Sequence, residues 1–313
     1  MSNKPFKILS IIGSPHDGNS NTRALVEDFV EELSTAGVTC DHQVMGLGKY
    51  KIEPCRGCWA CTKGKSCPVK NDDLDVIKKA MIECDMLIIG SPVYTNQVSA
   101  QLKMLFDRLF TWCHVFPLLG KYSLSAVTTA NDGQKETGDF IEKMLATYGT
   151  YSLGTIIGTG AYTAGFFPQR ITARKKNQKT ARKAAQLIQK DTLPKESKWL
   201  KRMFRAMKRK ITGVHTINYI VNGQHPDMPN PPKLMVKLIN SIRKKKNVPW
   251  DDTVKLSKLM EFELRWWKDR NWLKAKSLKE LIEAEPVSTF EIKERLLLEL
   301  ANENNTVKNN ERA

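Results

Sequence analysis

Two hydrophobic patterns alternate along residues 1–190. Short runs with the length and branched apolar content of strands occur at FKILSIIGS (6–14), VTCDHQVMGL (38–47), DMLIIGSPVY (85–94), YSLSAVTTAND (122–132) and YSLGTIIGTG (151–160). Between them the apolar positions recur with a helical period. In NTRALVEDFVEEL, for instance, Ala24, Leu25, Phe29, Val30 and Leu33 share one face. DDLDVIKKAMIEC, with Asp72 or Asp73 as its cap, VSAQLKMLFDRLF and ETGDFIEKMLATYG read the same way, and a last helix spans about Pro168 to Lys190. Five strands alternating with helices predict an α/β domain, a doubly wound five-stranded parallel sheet with helices on both faces.

Beyond residue 190 the strand pattern stops. KWLKRMFRAMKRKI puts Trp199, Leu200, Met203, Phe204, Met207 and Ile211 on one stripe and Lys201, Arg202, Arg205, Lys208 and Arg209 on the rest. Further helices are predicted in PPKLMVKLINSIRKKK, in DDTVKLSKLMEFELRWWKDRNWLK with a cap at Asp251, and in STFEIKERLLLEL with a capping box from Ser288 to Glu291. Trp266, Trp267 and Trp272 are expected to bury among them. The organisation expected is thus an α/β domain over 1–190, a basic helical extension over 191–300 and a disordered tail over 301–313.

Charge sharpens this division. The net charge is +17, yet residues 171–246 alone hold 21 Lys or Arg against the three acids Asp191, Glu196 and Asp227. The basic character is therefore regional. The apolar stripe of 199–211 is expected to pack on the first domain or on a partner subunit, with an anionic membrane surface as the alternative. No nucleic-acid module accompanies the charge, so nucleic acid is not an expected partner. No run of about 18 apolar residues occurs, and a soluble, cytoplasmic chain is expected.

Of seven cysteines, four stand close together as C-x2-C-x2-C-x5-C: Cys55, Cys58, Cys61 and Cys67, in a loop over 55–67. A reducing cytoplasm and an odd total argue against a disulfide framework. Zinc, an iron–sulfur cluster and unligated redox-active thiols remain. Zinc ribbons commonly use two separated C-x2-C knuckles, whereas two short gaps followed by a longer one suit a loop wound round a four-iron cluster. Cys40, Cys84 and Cys113 fall in predicted regular elements and read as small buried hydrophobes.

Three loops should meet beyond the carboxyl ends of the strands: GSPHDGNSNT, GSPVYTNQ and TTANDG. In the first, Ser14, Asn19, Ser20, Asn21 and Thr22 precede a helix, where amides and hydroxyls suit a phosphate; the same residues also suit a plain helix cap. The loop is neither a G-x-G-x-x-G fingerprint nor a P-loop, which argues against a dinucleotide fingerprint or a triphosphate site.

GSPHDGNSNT, the cysteine run and GSPVYTNQVSAQLKMLFDR together resemble the flavodoxin-like NAD(P)H-dependent FMN reductases, and within them the iron–sulfur flavoproteins, over about residues 5–190. The resemblance implies that Ser14, His16, Asn19, Ser20, Asn21 and Thr22 hold the FMN phosphate. Pro92, Val93, Tyr94, Thr95 and Asn96 would lie along the flavin ring, although Tyr94 alone also reads as a core tyrosine. Thr129, Ala130 and Asn131 would complete the pocket, and Cys55, Cys58, Cys61 and Cys67 would hold a [4Fe-4S] cluster. Family members often have Arg or Lys where His16 stands. FMN takes electrons in pairs and a cluster carries them singly, so the implied enzyme links NAD(P)H to a one-electron, ferredoxin-like partner, with no side chain acting as acid or base. A cluster-free FMN or quinone reductase and a non-enzymatic flavodoxin-like carrier are the alternatives. A homo-oligomer in which one subunit covers the flavin of another is also implied.

Overall fold

A computed structural model of the chain describes residues 4–16, 20–63, 66–159, 168–222, 229–246, 261–270, 272–277 and 279–280. The chain divides into two compact units, one of Met1–Cys55 with Asn71–Leu200 and one of Arg56–Lys70 with Lys201–Ala313. The sequence places the boundary near 190 and the whole cysteine loop in the first domain. The structure instead groups most of that loop with the C-terminal chain.

The first unit is a five-stranded, all-parallel sheet in the order β2-β1-β3-β4-β5. Its strands are β1 (Phe6–Ile12), β2 (Cys40–Gly46), β3 (Met86–Pro92), β4 (Tyr122–Thr129) and β5 (Tyr151–Thr159). This is the flavodoxin-like doubly wound order, with its switch point between β1 and β3. Successive strand residues face opposite sides. Ile8, Ile12, Met86, Ile88, Leu124, Ala126 and Ile156 form one core with α1 (Asn21–Thr35) and α6 (Pro168–Gln189), through Leu25, Val26, Phe29, Leu33, Ala181, Ala184 and Ala185. Leu9, Ile11, Leu87, Ile89 and Val127 alternate with them and are equally buried. The central strands are therefore buried on both sides, as a sheet covered on both faces requires. Edge strand β2, CDHQVMG, instead alternates half-buried and exposed residues from Cys40 to Val44, with Met45 buried.

The remaining helices of this unit are α2 (Leu74–Glu83), α3 (Ala100–Arg108), a single turn α4 (Trp112–Val115) and α5 (Gln134–Thr147). Asp73 takes the N-cap position of α2 as expected, and Asp72 Oδ1 accepts from the Leu74 amide at 3.4 Å. Asp73 makes no side-chain cap; its Oδ2 accepts from the Lys51 amide at 2.7 Å, and Asp72 Oδ2 accepts from the Glu53 amide at 3.1 Å. Both carboxylates reach back to the chain entering the cysteine loop.

Helix α7 (Lys198–Asn222) begins in the first unit, where Lys143 Nζ stands 5.7 Å from the Trp199 ring centre. It extends well past the predicted end at Ile211, and Leu200, Phe204 and Ile211 of its stripe are fully buried. In the second unit Phe204 stacks on Trp267 at 6.5 Å, and Trp267 meets the edge of Trp272 at 5.7 Å. Trp267 and Trp272 are buried as expected. The predicted helix starting at Asp251 is seen as α9 (Glu261–Asp269), and α8 spans Lys233–Lys245. The Asp251 cap, the Trp266 side chain, the helix at 288–300 and the tail at 301–313 lie outside the described residues.

Candidate flavin site and cysteine loop

Registers across the sheet bring three loops to one edge. Ile12 pairs with Gly90, and Pro92 with Thr128, so the chain leaves β1, β3 and β4 at neighbouring points. The Gly13 amide then donates to Gly90 O at 2.7 Å, and the Val93 amide to Thr128 O at 2.8 Å.

In the first loop Ser14, Ser20 and Thr22 are buried, whereas His16 is exposed and its amide donates to Ser14 Oγ at 3.2 Å. Ser20 caps α1 by accepting from the Arg23 amide at 3.3 Å. No acid stands in the first turn of α1, so the positive end of the helix dipole is unopposed there. The Thr22 hydroxyl is 2.6 Å from that of Thr128 and ties α1 to β4. Gly90 permits this approach, since a Cβ there would fall 2.8 Å from Thr22 Cγ2. Asn21 is half-buried, and Asn19 lies outside the described residues.

The second loop is a two-residue hairpin turn. The Tyr94 amide donates to Gln97 O at 2.9 Å and the Gln97 amide to Tyr94 O at 3.0 Å, while Thr95 and Asn96 are both left-handed, with φ of 50° and 58°. That pair of positive φ values is the signature of a type I′ turn, which normally selects Asn-Gly. A β-branched threonine in the left-handed region is strained, and such strain concentrates at ligand sites. Tyr94 is 44% exposed, which removes the core-tyrosine reading.

The third loop closes on the second. Thr129 Oγ1 donates to Asp132 O at 2.5 Å and the Gly133 amide to Asp132 Oδ1 at 2.7 Å, leaving Ala130 and Asn131 exposed. Gly133 has φ of 79°, and a Cβ there would lie 2.7 Å from both Asn96 Oδ1 and Val93 Cγ1. Gln97, Asp132 and Gly133 thus shape the site although the sequence reading passed over them; the N-D-G turn signal in TTANDG pointed to the last two.

Residues 6–163, just over half of the chain, match the NADPH-dependent FMN reductase family. The chain belongs to that family. Within it the chain falls in the iron–sulfur flavoprotein branch and is an NAD(P)H-dependent flavin oxidoreductase. An iron–sulfur flavoprotein of Archaeoglobus fulgidus is 31% identical over 156 residues, covering 50% of this chain and 69% of the relative. One from Methanocaldococcus jannaschii is 38% identical over 133 residues, 42% of this chain and 67% of the relative. Among solved structures, RosB with a bound 8-demethyl-8-formylriboflavin-5'-phosphate intermediate aligns at a TM-score of 0.48 and 15% identity, over 66% of this chain and 87% of RosB.

The cysteine loop of this FMN reductase is anchored at its feet. Arg108, the last residue of α3, pairs through Nη1 with Asp72 Oδ2 and donates to Glu53 O at 2.8 Å; the two side chains are 2% and 5% exposed. Residues 51–53 and 71–73 are thereby tied together. Between them Gly57 and Trp59 are left-handed, with φ of 62° and 60°, and buried Thr62 donates to Trp59 O at 2.9 Å. Helix α9 packs on the 3-10 turn Cys61–Lys63 within the second unit. Cys55 and Cys58 are exposed, Cys61 and Cys67 half-buried, and none of the four is in a disulfide. Among the described residues no three His, Cys, Asp or Glu side chains are gathered closely enough to hold a metal ion. Of the other cysteines only Cys84 is fully buried; Cys40 and Cys113 are half-buried, against expectation. Burial raises the Cys40 thiol, partly offset by a hydrogen bond with Ser34.

Proposed function

We propose that this FMN-dependent oxidoreductase draws electron pairs from NAD(P)H and delivers them singly to a ferredoxin-like acceptor by way of a [4Fe-4S] cluster. The observation that carries the reading is four thiols within Cys55–Cys67, on a loop whose flanking stretches 51–53 and 71–73 are tied together by Arg108. FMN supplies two-electron chemistry that can be discharged one electron at a time, and four thiolates are the donor set a cubane cluster takes.

Each group of residues has a distinct part. Ser14, His16, Ser20, Asn21 and Thr22 present amides and hydroxyls at the N-terminus of α1 to the FMN phosphate, and Asn19 joins them. The Thr22 hydroxyl already meets Thr128, so its amide is the group offered. Pro92, Val93, Tyr94, Thr95 and Asn96 form the wall along the ring, with exposed Tyr94 at its rim. Thr129, Ala130 and Asn131 close the pocket, and the tight contact of Gly133 with Val93 and Asn96 holds the wall in place. Cys55, Cys58, Cys61 and Cys67 are the ligands proposed for the cluster. A homo-oligomer in which one subunit covers the flavin of another also belongs to this reading.

The test is anaerobic purification followed by flavin, iron and acid-labile sulfide assays, with Cys58→Ala alongside. Wild-type protein should hold FMN and about four iron atoms per flavin. The variant should lose most of the iron and keep its FMN, because the phosphate loop is a different segment. Wild-type protein with stoichiometric FMN and no iron would sink the cluster. The cluster-free FMN or quinone reductase would then be the better reading.

A further inference from the structure

Helix α8 carries an apolar row that the fold leaves outside. Leu234, Leu238 and Ile242 recur at every fourth residue, on one side of the helix, and are 78%, 49% and 45% exposed. Met235, Val236 and Ile239, on the adjoining side, are half-buried. Lys233, Lys237 and Lys244 run along the free edge of the outward row, and all three are exposed. Neither α7 nor α8 contains an aspartate or glutamate.

The geometry points to an anionic lipid surface as the partner of this face. Three aliphatic side chains in a row, flanked on one edge by lysines, match a helix lying in the headgroup layer, with its apolar row at the acyl boundary and its ammonium groups among lipid phosphates. A second copy of the chain would bring two lysine rows together with no acid on either helix to offset them. A nucleic acid offers phosphates but nothing for the leucines to enter. The long stems of Lys233 and Lys237 let their charges stay in the headgroup layer while the leucines go deeper. No helix among the described residues is long and apolar enough to cross a membrane, so the contact is peripheral. This placement is independent of the electron relay.

Co-sedimentation of the full chain with phosphatidylcholine vesicles, with and without phosphatidylglycerol, tests the inference. The chain should sediment with the anionic vesicles only, and added salt should release it. Leu234→Ser/Leu238→Ser should abolish most of the binding, and Lys233→Gln/Lys237→Gln should lower partitioning roughly 30-fold. Both pairs are exposed, so unchanged FMN absorbance and circular dichroism serve as the fold control. Three results overturn the inference: no binding to anionic vesicles, binding that survives loss of the leucines, or a solution dimer that the leucine variant dissolves.

Discussion

Replacing Arg108 by methionine isolates the anchor of the cysteine loop. The side chain keeps an unbranched apolar stem but loses the guanidinium and its charge, leaving the Asp72 carboxylate, 5% exposed, with hydrogen bonds from main-chain amides such as that of Glu53. The Glu53 carbonyl loses a donor at the same stroke. Removing one partner of a buried ion pair destabilises by about 3–5 kcal/mol. Because the pair sits at the foot of a partly exposed loop, where water can relieve part of the penalty, about 3 kcal/mol is the figure to expect. Asp72→Leu in the same chain removes the stranded charge, so Arg108→Met/Asp72→Leu should recover all but about 1–2 kcal/mol, the remainder reflecting the unpaired Glu53 amide. Urea unfolding at saturating FMN reads this as a lowered midpoint at constant slope, and hydrogen exchange at 51–53 and 71–74 shows where the loss falls. A single variant within 1 kcal/mol of wild type, or a double variant no better than the single, would refute the claim that the pair is a buried, coupled anchor.

Two further outcomes follow from the geometry. Gly133→Ala places a Cβ 2.7 Å from Asn96 and Val93 at a left-handed residue, so strain of about 1–2 kcal/mol should reach the flavin wall and weaken FMN binding roughly tenfold in a fluorescence titration; unchanged affinity would separate this loop from the site. Burial raises the Glu142 carboxyl, with Ser152 pulling the other way, so stability tied to its neutral form is full below the ordinary carboxylate value and is lost as pH rises through the raised one. Glu142→Gln should flatten that part of the pH–stability curve, and an unaltered curve would show that the carboxyl ionises equally well in the folded chain.

The α/β unit was legible because its local and global signals agree. β1, β3 and β4 are buried along most of their length, are rich in branched apolar residues or small hydroxyls, and alternate with amphipathic helices. Strand order was a matter of fold class, since nothing in β2 states that it borders β1. The loops proposed to hold FMN were legible as composition and illegible as shape. Y-T-N-Q lacks the glycine that announces a type I′ turn, and its strained threonine defies local propensity. Asp72 and Asp73 were legible in place and only partly in role. Two acids before an apolar helix are a strong capping signal, and Asp72 does accept from the Leu74 amide, but a partner 36 residues away, Arg108, gives its other oxygen a second use. The association of the cysteine loop with α9 has no local signal at all, because a polar loop without periodicity takes its shape from what packs on it.

Helices α7 and α8 show how far an amphipathic pattern carries. The stripe of α7 is expected to pack on the first domain or a partner subunit; Leu200, Phe204 and Ile211 are buried, and Phe204 stacks on Trp267 of the helical extension. Helix α8 meets a different end because its apolar arc is wider. At 100° per residue, Leu234, Leu238, Ile242, Met235, Ile239 and Val236 sweep roughly 200° of the circumference. Half of that arc, Met235, Ile239 and Val236, is partly covered, and the half next to the lysines stays open. A helix covered on one side needs only an arc of about 100° to stay in place. The outward leucines therefore exceed what holds α8 in its fold, and their position beside the lysines makes them the part of the basic region from which a partner is best sought.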